Sequence, residues 1–197
     1  MVYFLYDAEV KNLIANGTTR LKGYTYANGW RDYEGLGISV VSYCLFDHSR
    51  FMVQTCVWDN PIDKDMLIGY LAQSTKIIGF NTKAFDDNLL RANGLEVYTN
   101  YDLLEEIRIA AYGSPSFSKQ PKGTNYSLGI VAKANGLFKT GNGELAPQLW
   151  QEGSTREVMA YCENDAKITY QLLMLGLQGK LIDPNTQKLL KLRSLRT

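Results

Sequence analysis

Val2-Tyr3-Phe4-Leu5-Tyr6-Asp7-Ala8-Glu9 is an apolar run that closes on two acids. Five apolar or aromatic residues in succession, without alternation, predict a central strand covered on both faces. Side chains alternate across a strand, so Asp7 and Glu9 project to the same side at its C-terminal end, about two residue rises apart. Paired hard oxygen donors of this kind suit Mg2+ or Mn2+, and neither Cys nor His is placed beside them to favour zinc. A strand running out into solvent also ends in acids, so a lone Asp-x-Glu decides nothing unless further carboxylates converge on it.

The rest of the chain sets the frame for that strand. Its 197 residues, 45% apolar and 12% aromatic, are enough for one well-buried core and few for two, so a single domain over 1–197 is expected. A formal charge of +1 argues against coating duplex nucleic acid by bulk electrostatics and leaves room only for a local basic groove. Cys44, Cys56 and Cys162 form no C-x-x-C pair and read as small buried hydrophobes in a reducing compartment. The single histidine, His48, excludes a His-rich metal centre and argues against a Ser-His-Asp triad. With no basic leader before Val2 and no apolar run of membrane-spanning length, the expected location is cytoplasmic, with no membrane partner.

Downstream of the strand, 11–35 reads as a long loop or insertion, punctuated by Asn16-Gly17, Lys22-Gly23 and Asn28-Gly29. Its aromatics Tyr24, Tyr26, Trp30 and Tyr33 alternate with Arg20, Lys22 and Arg31. They either stack on unpaired bases or fold back on the core. Leu36–Phe46 and Arg50–Trp58 read as strands joined by a hairpin at Asp47-His48-Ser49, making an antiparallel meander with the first strand. A helix is expected over Asp63–Gln73, a strand over Lys76–Phe80, and helices over Ala84–Ala92, Tyr101–Tyr112 and Tyr126–Asn135. The class is α/β, a central mixed sheet flanked by helices. Asp102 reads as a helix cap, and Lys119 and Lys122 lie in a Ser/Pro/Lys loop open to phosphates. Phe138–Glu152 reads as irregular chain with Trp150 as a packing anchor. The basic tail at about 184–197, with Leu189, Leu190, Leu192 and Leu195 interleaved up to Arg196, reads as a helix docking on the body, a partner contact or a phosphate-binding arm, the first of these preferred.

The last long helix begins at Ser154-Thr155-Arg156-Glu157, which has the form of a capping box. Its apolar stripe runs through Val158, Tyr161, Cys162, Ala166, Thr169, Leu172 and Leu173, and Asp165 falls within it. An inward aspartate is costly unless it is hydrogen-bonded or bound to a cation. Tyr161, four residues earlier, shares its face.

Three stretches in this order, Tyr6-Asp7-Ala8-Glu9, Gly79-Phe80-Asn81-Thr82-Lys83-Ala84-Phe85-Asp86 and Tyr161-Cys162-Glu163-Asn164-Asp165, resemble the DEDD family of 3'-5' exonucleases in its tyrosine-containing subclass. The surrounding text, including Tyr101 to Glu106 and Trp150 to Asp165, is similar to ribonuclease H-like domains found alone or fused to helicases. The resemblance implies a ribonuclease H-like fold and a site of two divalent ions, Mg2+ or Mn2+, held by Asp7, Glu9, Asp86 and Asp165. Tyr161 would orient the attacking water. The substrates implied are single-stranded DNA or RNA 3' ends, with a helicase or another replication or repair protein as a possible partner. Asn81, Lys83, Trp30, Arg31, Lys119 and Lys122 are the candidate substrate-binding residues. Asp87 competes with Asp86 for the ligand role, but Phe85-Asp86 with Leu90 four residues on matches the family pattern. The chain departs from that pattern at Val10, where many relatives carry a small hydroxyl residue. A non-catalytic binding module and a structure-specific endonuclease on the same fold stay open as alternatives.

Overall fold

A computed structural model describes residues 2–15, 20–141 and 143–195. The Asn16-Gly17 turn and Arg196 lie outside the described residues. In chain order the elements begin with β1 (Tyr3–Val10), β2 (Leu13–Ile14), β3 (Tyr26–Ala27), α1 (Tyr33–Leu36), β4 (Ile38–Phe46) and β5 (Phe51–Val57). There follow α2 (Pro61–Gln73), β6 (Lys76–Gly79), α3 (Asp86–Ala92), β7 (Tyr101–Asp102) and α4 (Leu103–Tyr112). The chain closes with α5 (Leu128–Ala134), α6 (Ala146–Gln151), α7 (Thr155–Leu177), β8 (Leu181–Ile182) and β9 (Leu189–Leu190).

The main sheet has the order β5-β4-β1-β6-β7, placing β1 at its centre. β1, β4 and β5 form the expected antiparallel meander, whereas β6 joins β1, and β7 joins β6, in parallel. The sheet is therefore mixed, with helices on both faces. Alternation along β1 sends Tyr3 and Leu5 into one core, with Ile107, Leu172 and Leu173. Phe4, Tyr6, Ala8 and Val10 enter the other, with Leu67, Leu89 and Leu90. A strand buried on both faces needs no polar alternation, which is why its apolar run was readable.

Several boundaries differ from the sequence reading for local reasons. α2 starts at Pro61, two residues early, because the Asn60 side chain accepts the Ile62 N–H (3.0 Å) and proline suits the first turn. α3 starts at Asp86, since 80–85 is spent turning away from the sheet. Asp102 caps α4, as expected, by accepting from Leu104 and Glu105 N–H, but Tyr101 and Asp102 themselves pair with β6 as a strand. α7 begins where expected, yet Ser154 makes no side-chain cap bond, so the capping box is not formed. The 138–152 stretch contains α6, whose Trp150 packs beside Val158 and Tyr161.

The C-terminal tail is not a helix. Ile182 and Leu189 pair across a hairpin, and Leu190, Leu192 and Leu195 are buried in extended chain against α7. Leu192 lies so close to Gly176 that a Cβ there would approach its Cδ1 to 2.3 Å. Arg193 Nε donates to Glu106 at 2.8 Å, completing the strap. The leucines at 190 and 192 follow a strand's period of two, a pattern that competes with helical spacing in so short a segment.

The described residues of the 11–35 insertion are bonded to the body. Gln151 at the end of α6 donates to the Lys11 carbonyl (2.9 Å) and accepts from Thr25 N–H (2.7 Å). Ala27 and Leu36 enter the second core, while Trp30 remains 62% exposed. Among the described residues no helix is long and apolar enough to cross a membrane.

Candidate metal and nucleic-acid site

The site forms where β1 outruns its parallel neighbour. β6 pairs with β1 only from Tyr3 to Leu5, then ends at Gly79. The chain turns away through Asn81, a non-glycine residue at φ 64°, and Gly79 is required because a Cβ would meet the Thr82 side chain at 2.1 Å. The unpaired edge of β1 is instead met by α3, whose Asp86 Oδ1 accepts the Ala8 N–H at 3.2 Å. Asp86 thus satisfies a strand donor and brings a third carboxylate to the end of β1.

α7 crosses the same face of β1 that carries Tyr3 and Leu5. Its lower turns supply Leu172 and Leu173 to the apolar half, and its first turns set Tyr161, Cys162 and Asp165 over Asp7 and Glu9. Cys162 Sγ lies 3.4 Å from the Asp7 carbonyl oxygen and 3.5 Å from Asp7 Oδ2. One ligand atom from each of Asp7, Glu9 and Cys162 lies within 4.8 Å of the others. Burial, then the Asp7 and Glu9 charges, push the Cys162 thiol up, so without a cation it acts as a weak donor to Asp7.

The adjacent acids divide their roles. Asp87 turns to the opposite side of β1, where it accepts from the Tyr6 hydroxyl, from Thr99 N–H (2.9 Å) and from Thr99 Oγ1 (2.8 Å). Its donors are all buried protein groups. Of the two, Asp86 is the one whose charge acts on Asp7 and Glu9, as that of Asp165 does, while the closest grouping of ligand atoms holds Asp7, Glu9 and Cys162.

Crowding shows in the protonation of these groups. Burial, followed by the charges of Asp165, Glu9 and Asp86, raises the Asp7 carboxyl well above its ordinary range. Burial and then Asp165 and Asp86 do the same to Glu9. Asp86 is pushed up to about 7, chiefly by burial, against the downward pull of the Ala8 N–H bond. Asp165 is raised by burial despite Lys139, whose ammonium sits 2.6 Å from its Oδ2. Among the described residues Asp165 Oδ1 is buried and makes no hydrogen bond of good geometry, although the Tyr161 hydroxyl stands close enough to the carboxylate to help hold its charge. The carboxylates suit a divalent oxygen-loving cation, but, contrary to the sequence expectation, a cysteine does stand beside them, because α7 carries Cys162 over Asp7.

A cavity of about 610 Å³, within the range of small-ligand pockets (about 300–1,000 Å³), opens beside the cluster. Glu9, Tyr161 and Lys139 line its acidic side, and Trp30, Phe85 and Leu145 its apolar side. Trp30 meets the Phe85 ring edge-on at 6.0 Å. Of the other candidate substrate contacts, Arg31, Asn81, Lys83, Lys119 and Lys122 are exposed and do not line this cavity. Lys83 is paired with Glu105, and Lys119 and Lys122 lie between α4 and α5. Lys139 was not legible as a site residue, since its stretch has no periodicity. The only hint was a lysine opening the Gly-rich Lys139-Thr140-Gly141-Asn142-Gly143 shortly before the Asp165 helix.

These protonation states predict how the metal-free protein responds to pH. An Asp86 held near 7 when folded, against about 3.9 unfolded, binds more protons in the native state. Its stabilisation is fully present below the unfolded value and is lost as pH rises through about 7. In chelator, unfolding free energy should fall across this window by up to about 1.4 kcal/mol per pH unit for each such group. Denaturant melts from pH 5 to 8 check this, and saturating Mg2+ should flatten the fall. A stability that climbs with pH in chelator would contradict it.

Comparison of the chain with protein-family models and with curated proteins finds no match.

Proposed function

We propose that the chain is a divalent-metal-dependent 3'-5' exonuclease of the DEDD type, tyrosine subclass, on a ribonuclease H-like fold. The observation that carries this reading is that Asp7 and Glu9, at the end of β1, both feel the charges of Asp86 from α3 and Asp165 from α7, so that acids from three elements crowd one end of the strand. Lys139 offsets only part of the cost of burying Asp165 beside Asp7 and Glu9, and a divalent cation would answer the rest.

Bound there, two divalent ions supply an activated water at neutral pH and charge stabilisation for the entering and leaving oxygens of an in-line phosphoryl displacement. The chain's own residues do the rest. Asp7, Glu9, Asp86 and Asp165, carried by β1, α3 and α7, would hold the ions. The Tyr161 hydroxyl, kept protonated first by burial and then by the Asp165, Glu9 and Asp7 charges, donates to the attacking water and orients it. The Trp30, Phe85 and Leu145 wall offers stacking surface to an unpaired terminal base, favouring a single-stranded 3' end over duplex. The product is a 5'-mononucleotide.

The test uses 5'-labelled single-stranded DNA and RNA of one sequence, incubated with Mn2+ or Mg2+ beside a chelator control. A ladder shortening from the 3' end, absent in chelator, is expected and names the preferred sugar. Intact strands with folded protein and metal present would sink the reading, and opening of circular substrates would replace it with an endonuclease. Tyr161→Phe should lower the rate about a hundredfold through misplaced water. Because Phe keeps the ring between its neighbours, the metal-induced rise in melting temperature should be unchanged.

One observation favours a second reading, a non-catalytic nucleic-acid-binding module: the Lys139 ammonium already pairs with Asp165. Strong oligonucleotide binding without any Mn2+ uptake would select it.

A further inference from the structure

Between α5 and α6 the chain passes over the mouth of the carboxylate cluster, and Lys139 is the residue that reaches in. Its Nζ lies 2.6 Å from Asp165 Oδ2 and 5.1 Å from the centre of the Tyr161 ring. Its charge also draws down the carboxyls of Asp7 and Glu9. The loop that follows is shaped to Tyr161: a Cβ on Gly141 would approach ring Cδ2 to 2.6 Å, and one on Gly143 would lie 3.1 Å from the hydroxyl oxygen. The root of Lys139 is thereby fixed relative to Tyr161 and Asp165.

The pairing is incomplete. One ammonium answers three carboxylates, those of Asp165, Asp7 and Glu9, and among the described residues Asp165 Oδ1 makes no hydrogen bond of good geometry. The lysine side chain keeps 26% of its surface exposed and also lines the 610 Å³ cavity, so it has somewhere to go without disturbing the core. A lysine is a compact point charge on a flexible four-carbon stem, suited to exchange a carboxylate for a phosphate.

Resting on the metal-dependent reading above, we propose that Lys139 is a displaceable counter-ion. It holds Asp165 while the cluster is metal-free and, when the carboxylates are metal-bound, turns into the adjoining cavity to contact a substrate phosphate.

Calorimetric titration with Mn2+, without nucleic acid, compares wild type with Lys139→Met and Lys139→Arg. Removing the competing cation should tighten Mn2+ binding by about fivefold or more in Lys139→Met, while Lys139→Arg stays close to wild type. In saturating Mn2+, Lys139→Met should also bind adenosine and deoxyadenosine 5'-monophosphate more weakly than wild type. A second measurement needs no variant: acetylation of the Lys139 amine, read by mass spectrometry, should rise when Mn2+ is added to wild type. Mn2+ binding no tighter in Lys139→Met, or Lys139 acetylation unchanged by Mn2+, overturns the displacement. Undiminished mononucleotide affinity overturns the phosphate contact. Mn2+ taken up by neither wild type nor Lys139→Met defeats the metal-dependent reading itself, an outcome distinct from wild type binding Mn2+ with no gain in the variant.

Discussion

Asp7→Asn is expected to abolish divalent-dependent degradation, by at least about a thousandfold, while the protein stays folded. The magnitude follows from several kcal/mol of transition-state charge stabilisation, at about 1.4 kcal/mol per tenfold in rate. The fold survives because Asp7 is supported by shape rather than by an ion pair. Its side chain sits beneath Cys162, and asparagine keeps its size. Its charge, by contrast, is opposed by Asp165, Glu9 and Asp86. Removing it relieves repulsion, so in chelator at pH 8 the variant should melt no lower than wild type. Wild type should gain about 2.7 kcal/mol at Mn2+ a hundredfold above its dissociation constant, and the variant should lose most of that gain. Nuclease assays and melting curves on one preparation check both halves. Retained activity would remove Asp7 from the site, and unfolding would recast the cluster as structural.

Asp87→Ala should instead be the most destabilising single change near the site, by about 3–5 kcal/mol. The carboxylate accepts from the Tyr6 hydroxyl and from both Thr99 donors, all buried between α3 and the sheet. Truncation strands the Tyr6 hydroxyl and the Thr99 N–H, the Thr99 hydroxyl keeping its Thr82 Oγ1 neighbour at 2.9 Å, and leaves a void against Tyr6, whose ring is among the most buried in the molecule. For a chain of this length such a loss lowers the melting temperature by roughly 10 °C. Asp86→Ala, one residue away, should cost far less, since only the Ala8 N–H loses a partner and the crowded charge is relieved. Denaturant unfolding of the two variants side by side checks the division. Equal losses would mean that the adjacent acids share one role.

The contrast between these neighbours marks where sequence reading stops. The acidic end of β1, the inward aspartate of α7 and the helix start after β6 were all legible, because each is a local departure from a strong local pattern. An acid closing an apolar strand, or interrupting an apolar helical stripe, stands out against its own period. Asp86 and Asp87 offer no such contrast, as both fall in the first turn of one short helix. Only the early end of β6, which leaves the Ala8 N–H open, turns one to the cluster and the other to Tyr6.

Lys139 and the tail were illegible for a related reason. A site residue on irregular chain has no period against which to stand out, and its role comes from whatever lies across from it, here Asp165 and Tyr161. In the tail, four leucines fit both a short helix and extended chain, and the close approach of Leu192 to Gly176 selects the latter. The sequence by itself determined the mixed α/β class, the central strand and which acids lie inward, since burial periodicity is a local property of the chain. The tertiary structure alone decided which cation answers the acids, which aromatics line the cavity and why Asp86 and Asp87, told apart in sequence only by resemblance to a family pattern, face opposite sides of β1, since those depend on residues far apart in sequence meeting across packed elements.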